Sequence, residues 1–121
     1  MPDAPPHILI VEDEHDLRDL VLEGLELHGF SACGADNVDA AMALLREVDA
    51  VVADVNIAGE SGLDLCRRMR AARPDLPVLI MSGDADARGP ALEEGARTFI
   101  LKPLHLGQLA RTLRKVTSQR E

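Results

Sequence analysis

The sequence predicts an α/β fold in which five parallel strands form one sheet with helices on both faces. Apolar runs and segments with helical spacing alternate five times along the 121 residues. The run Val51-Val52-Ala53 lacks polar alternation, which is typical of a strand covered on both faces. It leads directly into Asp54, and ligands of open parallel sheets bind outside the carboxyl ends of the strands. Asp54 is therefore the first candidate functional residue.

The first half of the chain predicts two strands, each followed by a helix. Residues 7–11 form a β-branched run that ends at an acidic stretch, Glu12-Asp13-Glu14. The next apolar residues recur at helical spacing, and Gly29 ends that helix; they are Leu17, Leu20, Val21 and Leu25. Residues 30–33 predict an edge strand. A second helix is predicted from a cap at Asp36 or Asn37 as far as Val48, which leads into the Asp54 strand.

The second half predicts a loop over residues 55–60 and three further helices. Ser61-Gly62-Leu63-Asp64 has the form of a capping box and begins helix three, which Pro74 and Pro77 close. Residues 78–81 are the next apolar run and lead into Ser82. A loop over residues 84–90 precedes a short helix with Pro90 in its first turn and Gly95 at its end. Residues 98–101 predict strand five, and the last helix carries Leu106, Leu109, Ala110, Leu113 and Val116.

Composition excludes several classes of function. Thirteen basic and twenty-one acidic residues give a net charge of -8, which repels nucleic acid and anionic membranes. We therefore expect no direct nucleic-acid or membrane partner and a cytoplasmic location. Cys33 and Cys66 match no metal-ligand spacing and are predicted to be small buried hydrophobic residues. The four histidines, which also lack ligand spacing, are His7, His15, His28 and His105.

Four of the five predicted strands end in a functional group. Glu12 and Asp13 follow strand one, Asp54 ends strand three, Ser82 follows strand four, and Lys102 follows strand five. Clustered carboxylates raise one another's pKa values and require a cation, and their hard oxygen atoms suit Mg²⁺. A magnesium ion, an ammonium group and a hydroxyl around one carboxylate would allow Asp54 to attack phosphorus. The predicted product is an acyl phosphate on Asp54.

The chain resembles the receiver domains of bacterial two-component response regulators, including the stand-alone chemotaxis type. The resemblance covers nearly the whole chain and rests on four segments: Val11-Glu12-Asp13-Glu14, Ala53-Asp54, Met81-Ser82-Gly83 and Leu101-Lys102-Pro103. It implies a flavodoxin-like (βα)5 sandwich of three layers with strand order 2-1-3-4-5. It also implies a single receiver domain over residues 1–121, with residues 1–6 as a lead-in.

The resemblance implies a role for each site residue. Asp54 would be the phosphoacceptor, with Lys102 and Ser82 completing the catalytic group, and Ser82 and Phe99 would act as the switch. Asn56 and Asp84 stand at positions that tune the lifetime of the acyl phosphate.

The resemblance also implies a ligand set for the cation and one special peptide bond. Mg²⁺ would be held by Asp13, by Asp54 and by the backbone carbonyl of Asn56, with Glu12 acting mainly through water. The bond between Lys102 and Pro103 would be cis, an isomer with a modest cost only before proline.

By the same resemblance, the protein would accept its phosphoryl group from a histidine kinase or a phosphotransfer protein. It would catalyse its own phosphorylation and dephosphorylation without conventional turnover. Its output would go to a downstream protein or to a fused output domain.

The sequence departs from the usual receiver pattern in three places. Ile57-Ala58 stands where receivers often have Met-Pro, and Ser61-Gly62 stands where they often have Asp-Gly. Serine caps a helix as well as aspartate does, so the fold is expected to be unaffected. Pro90 leaves little room for a full fourth helix, which bears on the usual output face made by helix four, strand five and helix five.

Three other functions are compatible with such a fold. A flavin-binding electron carrier needs a phosphate loop after strand one, where this chain has three acids, and the chain has no Trp or Tyr to stack on a flavin. A phosphohydrolase with an aspartyl nucleophile would have a second acid two residues later, where this chain has Asn56. A degenerate receiver would bind partners without phosphorylation, but all the site residues are present.

Overall fold

A computed structural model describes residues 4–118 and contains one parallel sheet of five strands. The sheet strands are β1 (His7–Val11), β2 (Ser31–Ala35), β3 (Ala50–Asp54), β4 (Val78–Ser82) and β5 (Thr98–Leu101). Their order across the sheet is β2-β1-β3-β4-β5, which confirms the predicted 2-1-3-4-5 arrangement. The central strand β3 pairs with β1 through Val11 and Ala53 and with β4 through Asp54 and Met81.

Five helices and one small hairpin complete the fold. The helices are α1 (His15–Leu27), α2 (Val38–Ala43), α3 (Gly62–Ala72), α4 (Arg88–Glu93) and α5 (Leu106–Ser118). Single turns of 3-10 helix cover Leu45–Glu47 and Ala85–Ala87. Two-residue antiparallel strands, Asn56–Ile57 and Glu60–Ser61, form what we call the 56–61 hairpin.

The sheet separates two hydrophobic layers. Alternate residues of each strand face opposite layers, as the period of two requires. In β1, Leu9 and Val11 pack with the layer under α2 and α3, whereas Ile8 and Ile10 pack with the layer under α1 and α5. All four side chains are fully buried. This arrangement explains the unbroken apolar runs in the sequence and gives the predicted three-layer architecture.

Side-chain caps fix the starts of two helices as predicted. Asn37 Oδ1 accepts a hydrogen bond from the Ala40 N–H at 2.8 Å, and Ser61 Oγ accepts one from the Asp64 N–H at 3.1 Å. Each satisfies a backbone donor that the first helical turn leaves without a partner. Gly95, with φ of +99°, follows α4 in a conformation that favours glycine.

The structure corrects several predicted boundaries. Helix α2 ends at Ala43 rather than continuing to Val48, because the chain tightens into the 3-10 turn Leu45–Glu47. The edge strand covers Ser31–Ala35 rather than residues 30–33. The predicted loop over residues 55–60 contains the 56–61 hairpin, and the predicted loop over residues 84–90 contains a 3-10 turn and the start of α4.

Two further expectations concern single residues and the amino-terminal segment. Cys66 is buried as predicted, but Cys33 is only half-buried because it lies on the edge strand β2.

Residues 1–3 of the predicted lead-in lie outside the described residues. Between residues 4 and 118, no helix combines the length and the apolar character needed to span a bilayer.

Candidate functional site

Functional side chains from separate strands meet at one edge of the sheet. Asp54 is the last residue of β3, Ser82 is the last residue of β4, and Lys102 directly follows β5. Glu12 follows β1, and its N–H donates to the Ala35 carbonyl oxygen at 3.0 Å. Because all five strands are parallel, their carboxyl ends share this edge.

Lys102 joins two of the carboxylates. Its Nζ donates a hydrogen bond to Oδ2 of Asp54 and lies 3.4 Å from Oε1 of Glu12. Burial alone lowers the pKa of Lys102, but the hydrogen bond and charge of Asp54 and the charge of Glu12 outweigh it, so the pKa is raised. The ammonium group therefore remains charged at neutral pH, next to the predicted nucleophile.

Glu12 is the buried member of the acidic pair. The residue is only 2% exposed, and its Oε2 accepts a hydrogen bond from the Glu14 N–H at 3.0 Å. Burial raises the pKa of the Glu12 carboxyl, while the Glu14 N–H and the charge of Lys102 act in the opposite direction. A buried carboxylate at this position favours the approach of cations to the sheet edge.

Asp13 is exposed and contacts the 56–61 hairpin rather than Lys102. Its Oδ2 accepts a hydrogen bond from the Ala58 N–H at 2.9 Å. Ala58 and Gly59 form the tip of the hairpin with φ values of +53° and +82°, which turns the Ala58 N–H toward Asp13. The hairpin directly follows β3, so this hydrogen bond connects the acidic pair after β1 with the segment after Asp54.

Asn56 is tied to both Asp54 and the hairpin tip. Its N–H donates to Oδ1 of Asp54 at 3.1 Å, and its own Oδ1 accepts from the Gly59 N–H at 3.2 Å. Both oxygens of the Asp54 carboxylate are therefore engaged, one with Asn56 and the other with Lys102.

Ser82 is buried, at 8% exposure, at the end of β4, the strand between β3 and β5. Its Oγ accepts a hydrogen bond from the Asp84 N–H at 3.0 Å, which leaves the hydroxyl proton available to another acceptor. Its carbonyl oxygen accepts from the Lys102 N–H at 2.8 Å, which continues the pairing of β4 and β5. Asp84 itself is exposed, and its Oδ1 caps the next 3-10 turn through the Asp86 N–H at 2.9 Å.

Phe99 lies on β5, three residues before Lys102. Its ring is half-buried against the layer under α2 and α3 and also lines an open groove of about 550 Å³. Leu101 and Arg111 line the same groove. The Lys102–Pro103 peptide bond is cis, as the resemblance implied.

The donor atoms at the site are oxygens, which suits a hard divalent cation. Within residues 4–118, no three His, Cys, Asp or Glu side chains group closely enough to hold a metal ion by themselves. The magnesium site that the resemblance implies would use Asp13, Asp54 and the backbone carbonyl of Asn56 as direct ligands, with Glu12 acting mainly through water. The chemistry of this donor set therefore fits Mg²⁺.

Gly62 supports the site, although the sequence analysis named it only as part of the capping box and of the Ser61-Gly62 pair and gave it no role at the site. A Cβ atom at Gly62 would lie 1.9 Å from the backbone oxygen of Asp54. The Gly62 N–H donates to the Val55 carbonyl oxygen at 2.6 Å. Only a residue without a side chain allows α3 to begin this close to the end of β3. The sequence signal was a glycine directly after the capping serine.

Comparison with curated proteins finds longer regulators. The chain is 32% identical over 121 residues to the C4-dicarboxylate transport transcriptional regulatory protein DctD of Rhizobium meliloti (strain 1021), which covers 97% of this chain and 26% of DctD. It is 36% identical over 113 residues to the regulatory protein VirG of Agrobacterium tumefaciens (strain 15955), which covers 89% of this chain and 42% of VirG. The chain thus spans between a quarter and a half of these relatives, and neither is described as a chemotaxis protein.

Comparison with solved structures finds the same fold, and a family model matches the sequence. A putative response regulator from Chloroflexus aurantiacus J-10-fl superposes with a TM-score of 0.87 at 26% identity, covering 94% of this chain and 98% of that chain. The family model described as the response regulator receiver domain matches residues 8–114, which include every predicted site residue. This chain therefore belongs to the response regulator receiver domain family.

Proposed function

We propose that Asp54 accepts a phosphoryl group and that this modification switches the signalling state of the protein. The observation that carries the proposal is the hydrogen bond from Lys102 to Asp54, at a sheet edge that also holds Glu12 and Ser82. An ammonium group at the carboxylate can neutralise charge on the phosphoryl oxygens, and most phosphoryl-transfer catalysis consists of positioning and charge stabilisation.

The reaction forms one bond and breaks another. An Asp54 carboxylate oxygen attacks the phosphorus atom of a phosphohistidine on a histidine kinase or phosphotransfer protein. The bond between phosphorus and the imidazole nitrogen breaks, and the imidazole leaves with that electron pair. The product is an acyl phosphate on Asp54, which water later hydrolyses to restore the carboxylate and release inorganic phosphate. The protein catalyses these steps on itself and is not a conventional turnover enzyme.

We propose that Asp13, Asp54 and the backbone carbonyl of Asn56 hold a magnesium ion, with Glu12 acting through water. When bound, the ion would neutralise phosphoryl oxygens that Lys102 does not reach. Lys102 holds its proton and contributes a fixed positive charge throughout. The buried carboxylate of Glu12 lies 3.4 Å from the Lys102 ammonium group and would attract the divalent ion through water.

Ser82 and Phe99 are the proposed switch residues. The Ser82 hydroxyl accepts a hydrogen bond from Asp84, so its own proton is free to bind a phosphoryl oxygen on Asp54. Movement of Ser82 toward that group would alter the packing at the end of β4, next to β5. The open groove beside Phe99 supplies volume into which the ring can turn or from which it can withdraw. Asn56 and Asp84 flank the site and are proposed to set the lifetime of the acyl phosphate.

The output partner is proposed to be either a separate protein or a domain fused to this one. The first arrangement is that of the stand-alone chemotaxis type. The second is consistent with the greater length of DctD and VirG, of which this chain spans 26% and 42%. A receiver that acts without phosphorylation is the alternative function, and it predicts that Asp54 is never modified.

Intact-mass measurement with acetyl phosphate and MgCl2 tests the proposal. We expect one phosphoryl adduct on the wild type, none on Asp54→Asn, and none on the wild type when EDTA replaces MgCl2. Asp86→Asn is the matched control, because it makes the same chemical change at an exposed aspartate in the 3-10 turn that follows β4, and it should retain the adduct. A full-yield adduct on Asp54→Asn would reject the assignment, and an unmodified wild type would favour the alternative function.

A further inference from the structure

Arg18 reaches back from α1 to the acidic stretch after β1. Its Nη1 donates a hydrogen bond to the backbone carbonyl oxygen of Glu12 at 2.8 Å. On the other side of the same residue, the Glu12 N–H donates to the Ala35 carbonyl of β2 at 3.0 Å. The carbonyl of Glu12 lies just beyond Val11, the last paired residue of β1. Because Arg18 donates to this carbonyl and Ala35 accepts from the N–H, the backbone of Glu12 is held on both sides.

Gly34 of the edge strand β2 makes room for the Arg18 side chain. A Cβ atom at Gly34 would lie 2.9 Å from Cδ, 3.2 Å from Cγ and 3.3 Å from Nε of Arg18. Gly34 is not one of the glycines with positive φ, so its backbone conformation does not itself require glycine. Glycine inside a strand weakens the strand and often marks a close approach. The approaching group here is the stem of Arg18.

We propose that Arg18, seated over Gly34, is a positioning residue that orients the Glu12–Asp13 acidic pair for the divalent cation. This inference rests on the proposed function. The carbonyl that Arg18 holds belongs to the peptide unit joining Glu12 to Asp13, so its orientation sets the directions in which both side chains leave the chain. Arg18 itself touches no reacting atom.

An arginine suits this role better than a lysine. The planar guanidinium donates in fixed directions, whereas an ammonium group is a compact point charge on a flexible stem. Groups that hold metal ligands in place typically change metal affinity 10- to 100-fold when they are removed. Loss of the Arg18 hydrogen bond should therefore lower the affinity for Mg²⁺ by a larger factor than it lowers the rate of phosphoryl transfer at saturating Mg²⁺.

The first measurement is a titration with MgCl2 alone, without a phosphodonor, in which the NMR shifts of the backbone amides report Mg²⁺ binding. We expect Arg18→Ala to raise the half-saturating MgCl2 concentration about tenfold. Arg18→Lys keeps the positive charge but not the fixed geometry, so it should retain most of this defect. Urea unfolding followed by far-ultraviolet circular dichroism verifies that each variant is folded, and phosphorylation rates at limiting and saturating MgCl2 separate affinity from maximal rate.

The second measurement approaches the same contact from β2. Gly34→Ala leaves Arg18 unchanged but places a methyl group where its stem lies, and alanine is better tolerated in a strand than glycine. We expect Gly34→Ala to weaken Mg²⁺ binding several-fold in the wild-type background and to have no further effect in the Arg18→Ala background. Such a cycle assigns the effect of Gly34→Ala to Arg18 and not to the strand. The Gly34→Ala single variant also provides a test if Arg18→Ala does not fold.

The outcomes distinguish this inference from the proposed function. A wild type that forms the Asp54 adduct, together with folded Arg18 and Gly34 variants that bind Mg²⁺ as the wild type does, overturns only the positioning role. Wild-type affinity in Arg18→Lys with weak binding in Arg18→Ala would show that charge alone matters, which also overturns it. A wild type that neither binds Mg²⁺ nor forms an adduct overturns both the inference and the proposed function.

Discussion

The ammonium group of Lys102 is hydrogen-bonded to the carboxylate of Asp54 across the end of β4, which separates their two strands. The same ammonium group lies 3.4 Å from Glu12. The positive charge of Lys102 therefore offsets the repulsion between two partly buried carboxylates, those of Asp54 and Glu12.

Lys102→Met is expected to slow phosphorylation of Asp54 at least tenfold, because removal of one charge-stabilising donor costs this much or more in enzymes. It should also raise the pKa of Glu12 further, since a charge that lowers this pKa is lost. Initial rates of adduct formation with acetyl phosphate and saturating MgCl2 measure the effect. Lys102→Arg keeps the charge and should lose less activity; a Lys102→Met variant with the wild-type rate would exclude a role for the ammonium group.

Gly62→Ala is expected to destabilise the protein by about 1–3 kcal/mol, because the new methyl group would overlap the backbone oxygen of Asp54. Neither backbone segment can move without shifting Asp54, so phosphorylation should slow as well. Urea unfolding measures the stability change. Gly107→Ala is the matched control: it lies in α5 with open space around its Cβ position and should be neutral or stabilising by up to about 1 kcal/mol. Equal effects of the two substitutions would contradict the clash.

Arg73→Ala is expected to destabilise the protein by about 2–3 kcal/mol. The Arg73 Nη1 donates to the carbonyl oxygens of Leu45 at 2.6 Å and Val48 at 2.8 Å, which ties the end of α3 to the turn that precedes β3. Removing the guanidinium leaves both carbonyls without this charged donor. Arg68→Ala changes an exposed arginine of the same helix and should alter the free energy of unfolding by less than about 0.5 kcal/mol. Comparable losses in the two variants would refute the bridging role.

Cys66 is expected to make stability pH-dependent in alkaline solution. Burial raises the pKa of this thiol from 9.0 to about 11. Above pH 9 the unfolded chain releases the thiol proton more readily than the folded protein does, so the free energy of unfolding falls between pH 9 and about 11. Below pH 9 the thiol is protonated in both states, so it does not contribute to the pH dependence of the unfolding free energy. The difference in unfolding free energy between wild type and Cys66→Ala isolates this dependence from other groups, and a difference that is constant across the range would contradict it.

The strand pattern and the strand-end residues were predictable because unbroken apolar runs followed by polar residues are a strong local signal. Val51-Val52-Ala53 followed by Asp54 shows this most directly. The 56–61 hairpin was not predicted because strands of two residues have no periodicity to detect. The early end of α2 was missed for a related reason: Leu44, Leu45 and Val48 continue the helical spacing, although the chain there tightens into a 3-10 turn.

Long-range partners of charged residues were the other feature that sequence could not provide. Arg73 has the spacing of a solvated helix residue, yet it donates to the backbone carbonyls of Leu45 and Val48 in a distant turn, and Arg18 donates to the carbonyl of Glu12, outside its own helix. Nothing in the local pattern distinguishes them from the exposed Arg68. The strand ends could be brought together from topology alone, whereas the hydrogen bond from Ala58 to Asp13 depends on the left-handed turn at the hairpin tip.

The position of β3 in the middle of the sheet has a consequence for local opening of the fold. Its residues Val51 to Ala53 are fully buried and are paired on both sides, so their amides are held by the centre of the sheet. We therefore expect the backbone next to Asp54 to exchange its amide protons with solvent late, and the exposed tip of the 56–61 hairpin to exchange them earlier. The Asp54 carboxylate would then keep its position while the neighbouring hairpin opens locally.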